Sequence, residues 1–125
     1  MKAIARGWAG LDLVVTGAMA LPPVAGPFVG LIHQLSGVVA PPADPLRDFF
    51  VCLAGALGVL WAFARLYDPR RELVLADTVG RVWVATLIGW FVFTAGAPAA
   101  LLLFVATELT GAAHQAHALR SPSGA

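Results

Sequence analysis

Apolar residues occupy four long stretches of the chain, and prolines, glycines or charged residues separate these stretches. The stretches cover residues 4–21, 46–66, 72–95 and 98–119. Each is close to the roughly 20 residues that a helix needs to cross the hydrocarbon layer of a membrane. The pattern therefore predicts an all-α integral membrane four-helix bundle as a single domain over residues 1–120. Residues 121–125 are expected to form a disordered tail.

A shorter amphipathic stretch lies between the first two apolar segments and is bounded by prolines at both ends. Five apolar residues recur in it at helical spacing: Phe28, Leu31, Ile32, Leu35 and Val39. Polar residues lie off this stripe, as in a helix that rests on a membrane surface. We expect a short surface helix over residues 27–39 that caps the bundle on its outer side. A re-entrant segment packed between the spans is the alternative interpretation.

The first apolar segment shares features with a secretory signal peptide. The cations Lys2 and Arg6 stand at its beginning, and the small residues Ala18 and Ala20 stand near its end. However, Asp12 interrupts the apolar stretch. We therefore expect this segment to be kept as a membrane anchor.

A second ambiguity concerns the number of spans. Residues 82–107 carry no charged side chain, so one long helix there would give three spans and leave Asp77 and Arg81 at the membrane surface. That layout places Pro98 inside a helix, where proline removes a backbone hydrogen bond. The four-span layout instead uses Pro98 in the first turn of the last helix, and we favour it.

Composition and charge agree with a membrane protein. Hydrophobic residues make up 59% of the chain and charged residues only 12%, which is unusual for a soluble domain. The formal net charge is only +1 and no run of Lys and Arg is present, so nucleic acid is not an expected partner. In the four-span layout one side holds most of the cations: Lys2, Arg6, Arg65, Arg70, Arg71 and Arg120. Only Arg47 falls on the other side. The positive-inside rule then predicts a multi-pass membrane protein with both termini cytoplasmic.

Four charged residues lie more than one helical turn inside the predicted spans: Asp12, Asp77, Arg81 and Glu108. All four are placed at a similar depth in the cytoplasmic half of the bundle, where unpaired charge is costly. Arg81 is the expected centre because its guanidinium has five donors and stays charged. One cation facing three carboxyls leaves a charge imbalance, and a proton on the deeper Glu108 would relieve it. The cluster is therefore a candidate site for a ligand or a proton, with a purely structural ion-pair network as the alternative.

Other polar residues are weaker candidates. Arg47 and His33 lie near the outer surface, and His114 shares a helix face with His117. No third metal ligand accompanies the two histidines, so we expect no metal site. No nucleotide motif or complete catalytic constellation is evident, and no cofactor is expected. A bound lipid or quinone is the kind of ligand that such a bundle would accommodate. The tryptophans are interpreted as interfacial or core residues.

Several motifs give the chain a resemblance to a known family. They are a proline-ended first span, "DPLRDFFVCLAGALGVLWA" with Arg47, the Gly80-Arg81 pair, the "GAP" turn ending at Pro98, and "ATELTGAAHQ" with Glu108. With these the chain resembles small four-helix bacterial membrane proteins that are DoxX-like, largely of unknown function. It departs from their pattern at Asp44, near which the family often has Asn. The resemblance implies the fold and the importance of Arg81 and Glu108, but no activity.

These observations favour two functions. The first is a non-catalytic accessory or oligomeric subunit of a membrane complex, since small residues recur every four positions at Ala54, Gly58 and Ala62 and permit close helix approach. The alternative is a binder or enzyme for a lipophilic small molecule, such as a quinone, isoprenoid or sterol-like compound. In that case Arg81 would polarise an oxygen and Glu108 or Asp12 would exchange a proton.

Overall fold

The structure, a computed structural model, describes residues 1–121, so residues 122–125 of the predicted tail (residues 121–125) lie outside the described part. All regular structure in the described part is helical, which confirms the all-α prediction. The five α-helices are α1 (Lys2–Met19), α2 (Pro22–Leu35), α3 (Pro45–Tyr67), α4 (Arg71–Ala95) and α5 (Leu102–Arg120). A short 3-10 helix, Ala99–Leu101, precedes α5.

Helix α2 begins five residues earlier than the sequence analysis predicts for the surface helix. Pro22 occupies the first turn of α2, where its missing N–H is not needed, so the double proline starts a helix as well as ending one. The helix also ends earlier, because Gly37 adopts a left-handed conformation with a φ of 70°. The N–H groups of Gly37 and Val38 donate to the carbonyls of Gln34 and His33, which closes α2 in a Schellman motif.

The chain breaks between α4 and α5, so the alternative of one continuous helix over residues 82–107 is wrong. Gly96 takes a left-handed conformation with a φ of 71° at the end of α4. Pro98 follows and leads into the 3-10 helix. Two special residues in succession therefore redirect the chain, as the "GAP" turn predicts.

The long helices form two antiparallel pairs, α1 with α3 and α4 with α5. The start of α1 lies beside the end of α3, where Arg6 Nε donates to the carbonyl of Leu66 at 3.3 Å. Likewise, Arg71 Nη1 at the start of α4 donates to the carbonyl of Leu119 near the end of α5 at 2.9 Å. Both termini of the described chain therefore lie at the same end of the molecule.

Two glycines allow α1 and α3 to approach closely. A Cβ atom added to Gly55 would lie 2.4 Å from the backbone nitrogen of Ala20, and one added to Gly58 would lie 2.4 Å from Thr16 Cγ2. Ala62, further along the same helix, is fully buried. Gly58 and Ala62 of the predicted small-residue stripe are thus used for packing within the chain, whereas Ala54 is exposed.

The interior holds small and charged residues, and the exterior holds large apolar ones. Seven of the nine buried hydrophobic residues in the described chain are alanines. The buried polar residues are Arg65, Asp77, Arg81 and Gln115. Large side chains such as Val14, Leu60 and Phe93 are mostly exposed. Helices α3 and α4 are each long and apolar enough to cross a membrane, and α1 with α2 would make a third such span, bent by 103°. Helix α5, the fourth predicted span, is not among the candidate spans of the described residues.

Candidate functional site

The predicted cluster of Asp12, Asp77, Arg81 and Glu108 is assembled between the two helix pairs. Arg81 is 4% exposed and contacts all three carboxylates. Its Nε lies 3.0 Å from Asp77 Oδ2, one helical turn away, and its Nη1 lies 2.9 Å from Glu108 Oε2 on α5. Its Nη2 donates to Asp12 Oδ2 on α1. Gly111 leaves the space for this side chain, since an added Cβ would lie 3.1 Å from Arg81 Nη1.

Arg65 also belongs to the cluster, which corrects its placement among the cations at the cytoplasmic end. Its side chain is 1% exposed, with Nη1 2.7 Å from Asp77 Oδ2 and Nη2 2.6 Å from Asp12 Oδ2. Helical side chains point back towards the N-terminus of their helix, so a residue near the end of α3 reaches into the interior. Two arginines, not one, face three carboxylates. If all five groups are ionised, the cluster carries a net charge of −1.

Asp77 is the most completely bonded member of the cluster. Its Oδ1 accepts from Trp61 Nε1 at 2.7 Å. Its Oδ2 accepts from Arg65 and Arg81, and also from Gln115 Nε2 at 2.7 Å. With both oxygens engaged and the side chain 6% exposed, Asp77 has a structural role that joins α3, α4 and α5.

Sequence analysis did not assign Trp61 or Gln115 to the site. Trp61 precedes Arg65 by four residues and Gln115 follows Glu108 by seven, so each shares a helix face with a cluster residue. That spacing is the signal that would have identified them. Gln115 is fully buried, and its Oε1 accepts from Thr78 Oγ1 at 3.0 Å.

Asp12 and Glu108 differ from Asp77 because each keeps one oxygen free. Asp12 uses Oδ2 for both arginines and Glu108 uses Oε2 for Arg81. Among residues 1–121, no group donates a hydrogen bond to Asp12 Oδ1 or Glu108 Oε1, and neither atom is buried. The two side chains are 20% and 22% exposed. These carboxylates are therefore able to accept further hydrogen bonds or a proton.

The open oxygens lie beside two cavities. The first cavity has a volume of about 310 Å3, and its walls include the aromatic rings of Trp8, Phe28 and Phe104. The second cavity, of about 460 Å3, is bordered by Trp61, Arg65, Asp77 and Arg81. Asp12 and Glu108 line both cavities and so form part of the wall between them. Both volumes reach the range of small-molecule sites in proteins, which begins at about 300 Å3.

Two further contacts complete the surroundings of the cluster. The guanidinium carbon of Arg81 lies 5.3 Å from the centre of the Trp8 ring, within the range of a cation–π interaction. The Trp8 and His114 rings are 5.8 Å apart. On the side of the second cavity, Arg65 Nε is the single buried side-chain polar atom without a hydrogen-bond partner in the described chain.

The secondary candidates lie apart from the cluster or touch only its edge. Arg47 pairs with Asp48 at 2.9 Å near the start of α3, and His33 Nδ1 is 2.8 Å from the carbonyl of Val29 on α2. His114 reaches the site only through Trp8. Within residues 1–121, no three His, Cys, Asp or Glu side chains are arranged to hold a metal ion.

The geometry therefore describes an ion-pair cluster with two open carboxylates between two cavities. Comparison of the chain with protein-family models, curated proteins and solved structures finds no match.

Proposed function

We propose that the chain is an integral membrane four-helix bundle that binds a lipophilic small molecule beside its buried charged cluster. The observation that carries the proposal is the first cavity, whose lining combines aromatic and aliphatic side chains with Asp12 and Glu108, the two carboxylates that each keep one oxygen free. A cavity that combines apolar walls with a few convergent polar groups is typical of ligand sites. Quinones, isoprenoids and sterol-like compounds are the lipophilic classes first considered.

The distribution of side chains supports insertion in a membrane. In water, exposed Leu, Val and Phe on every long helix would cost free energy, whereas lipid tails solvate them well. Interior alanines suit helices that pack closely in lipid. The charged cluster lies inside, away from the acyl chains, and its cations and carboxylates are paired.

The cations support an orientation with both termini in the cytoplasm. Arg6 and Arg71 lie at the end of the molecule that carries the termini, and Lys2, Arg70 and Arg120 belong to the same end. Arg47 lies at the start of α3, towards the opposite end, and is paired with Asp48. Even without Arg65, most of the cations lie at the end that carries the termini. The bacterial inner membrane follows from the resemblance to DoxX-like proteins.

Membership of a larger complex, or self-association, stays a prediction. Its main support is the small-residue stripe of Ala54, Gly58 and Ala62, but Gly58 and Ala62 pack within the chain, and of the three only Ala54 is exposed. No other feature of the described residues favours an accessory subunit over a ligand binder. The ligand-binding proposal is therefore the better supported of the two.

Filling the first cavity tests the proposal. Ile88 lines the cavity, and Ile88→Trp adds a bulky ring there, whereas Val79→Trp adds the same ring on the outward face of α4, where Val79 is 63% exposed. Each protein would be purified in lipid nanodiscs and released for native mass spectrometry with small molecules retained. Binding of added decylubiquinone, farnesol and 1-dodecanol would be titrated in parallel.

We expect the wild type and Val79→Trp to bind a small molecule, either co-purified or added, and Ile88→Trp to lose it. If none of the three proteins shows a bound molecule or saturable binding, the proposal is wrong. It is also wrong if Ile88→Trp binds as well as Val79→Trp, because the ligand would then lie elsewhere.

A further inference from the structure

The hydrogen-bonding groups of the first cavity constrain the chemistry of its ligand, if the binding function proposed above is correct. Asp12 and Glu108 each present an oxygen that accepts no hydrogen bond from residues 1–121. The two hydroxyls in the lining already donate within their own helices, Thr16 to the carbonyl of Asp12 at 2.7 Å and Thr107 to that of Phe104 at 2.9 Å. The two carboxylates and the two hydroxyls can therefore accept hydrogen bonds from a ligand.

Donors are scarce at the same cavity. Neither arginine lines it, and every nitrogen of Arg81 already donates to a carboxylate. Among the lining residues, the indole N–H of Trp8 is a side-chain donor without an acceptor in the described chain. A quinone offers only acceptors, so it would leave both open carboxylate oxygens unpaired, at a cost in free energy. The expectation that Arg81 polarises a ligand oxygen therefore does not suit this cavity.

Charge leads to the same conclusion. The two buried arginines neutralise only two of the three carboxylates. Uncompensated charge in an apolar environment is costly. A proton on Glu108 would remove the imbalance without a ligand, and a cation at the open oxygens would take the place of that proton. The rings of Trp8, Phe28 and Phe104 supply apolar surface for a hydrocarbon tail.

We infer that the first cavity binds a lipophilic amine, with its protonated nitrogen donating hydrogen bonds to Asp12 and Glu108 and its hydrocarbon tail against the aromatic wall. A lipophilic amine meets both requirements, because it supplies hydrogen-bond donors and a positive charge. An alcohol would supply one donor but no charge. A fatty acid would bring a second negative charge to the carboxylates.

A matched series of probes tests the head group on the wild-type protein. Dodecylamine, 1-dodecanol and dodecanoate share one tail, and decylubiquinone represents acceptor-only ligands. Dissociation constants would be measured in nanodiscs by native mass spectrometry. The signal of each probe with Ile88→Trp would measure its nonspecific partition into the lipid, and this signal is subtracted from that of the wild type. We expect dodecylamine to bind about ten- to a hundredfold more tightly than 1-dodecanol, the range for a hydrogen bond to a charged group.

A charge-removing variant provides the second measurement. Glu108→Gln should weaken dodecylamine binding by about ten- to a hundredfold and leave 1-dodecanol binding nearly unchanged. Glu72→Gln, an exposed position on the same end as the termini, should leave both constants unchanged. If Glu108→Gln does not fold, the comparison of probes on the wild type decides the matter alone.

The outcomes separate this inference from the binding function itself. If 1-dodecanol, dodecanoate or decylubiquinone binds the wild type as tightly as dodecylamine and Ile88→Trp abolishes that binding, the cavity binds a ligand but the amine inference is wrong. If no probe binds the wild type more tightly than Ile88→Trp, both proposals are wrong.

Discussion

Arg65 on α3 contacts Asp77 on α4, with 2.7 Å between Nη1 and Oδ2. The two helices follow one another in the chain, yet α3 packs mainly on α1 and α4 mainly on α5. The charged contacts of Arg65 and Arg81 therefore join two helix pairs that share little apolar packing. In the lipid environment that we propose, exclusion from water does not drive helices together, so such contacts would have a large share in holding the pairs together.

Replacing Arg65 should therefore destabilise the protein strongly. Arg65→Met leaves Asp77 and Asp12 without one of their two cations, and the loss of one partner from a buried pair costs about 3–5 kcal/mol. The free energy of unfolding would be measured in mixed micelles with increasing SDS. Arg70→Met is the control, since Arg70 pairs with Asp68 in an exposed contact and should cost less than about 1 kcal/mol. Equal effects of the two substitutions would contradict a structural role for Arg65.

The hydrogen bond of Trp61 should have a smaller, measurable effect. Its indole donates to Asp77 at 2.7 Å, and Trp61→Phe removes the donor while keeping most of the ring. We expect a loss of about 1–2 kcal/mol in the same assay, near the lower end for a bond to a charged group because Trp61 is 37% exposed. Trp83→Phe, at a residue that is 61% exposed, should change little. The assignment of Trp61 to the cluster fails if the two variants unfold alike.

Much of the helical layout and part of the cluster are predictable from the sequence. Proline and glycine mark helix ends through local backbone chemistry, so the breaks near Pro22, Gly96 and Pro98 are visible without a structure. The meeting of Asp12, Arg81 and Glu108 follows from their similar depth in neighbouring helices. The helix ends depend on the sequence of one helix at a time, and the meeting of the charged residues depends only on their depth in the bundle.

Other features depend on how whole helices are rotated and packed, which single-sequence patterns do not define. The position of Arg65 near the end of its helix predicts a place at the membrane surface, although its side chain points inward. Trp61 and Gln115 were not singled out because Trp and Gln have common alternative roles. The two cavities arise from the volumes left between helix pairs, and no local pattern encodes such a volume.

A methyl group at the closest helix approach should be poorly tolerated. Gly55→Ala would place Cβ 2.4 Å from the backbone nitrogen of Ala20, and backbone atoms cannot move away without shifting α1 against α3. We expect destabilisation by about 1–3 kcal/mol, as for other overpacked cores. Gly10→Ala is the matched control: its added Cβ meets nothing within 4 Å, and alanine is the better helix former by up to about 1 kcal/mol. The close approach is refuted if Gly55→Ala proves as stable as Gly10→Ala.

Cysteine labelling should reveal the proposed orientation. Cys52 is the single cysteine, so a Cys52→Ser background allows new cysteines to be placed one at a time. Val39 lies between α2 and α3 and is 94% exposed, whereas Asp68 lies between α3 and α4, at the end that carries the termini. With cytoplasmic termini, a membrane-impermeant maleimide should label Val39→Cys in intact spheroplasts. Asp68→Cys should react only after the membrane is permeabilised. The opposite pattern would mean that the positive end faces outward, against the cation asymmetry, and labelling of both positions in sealed cells would mean that α3 does not span the membrane.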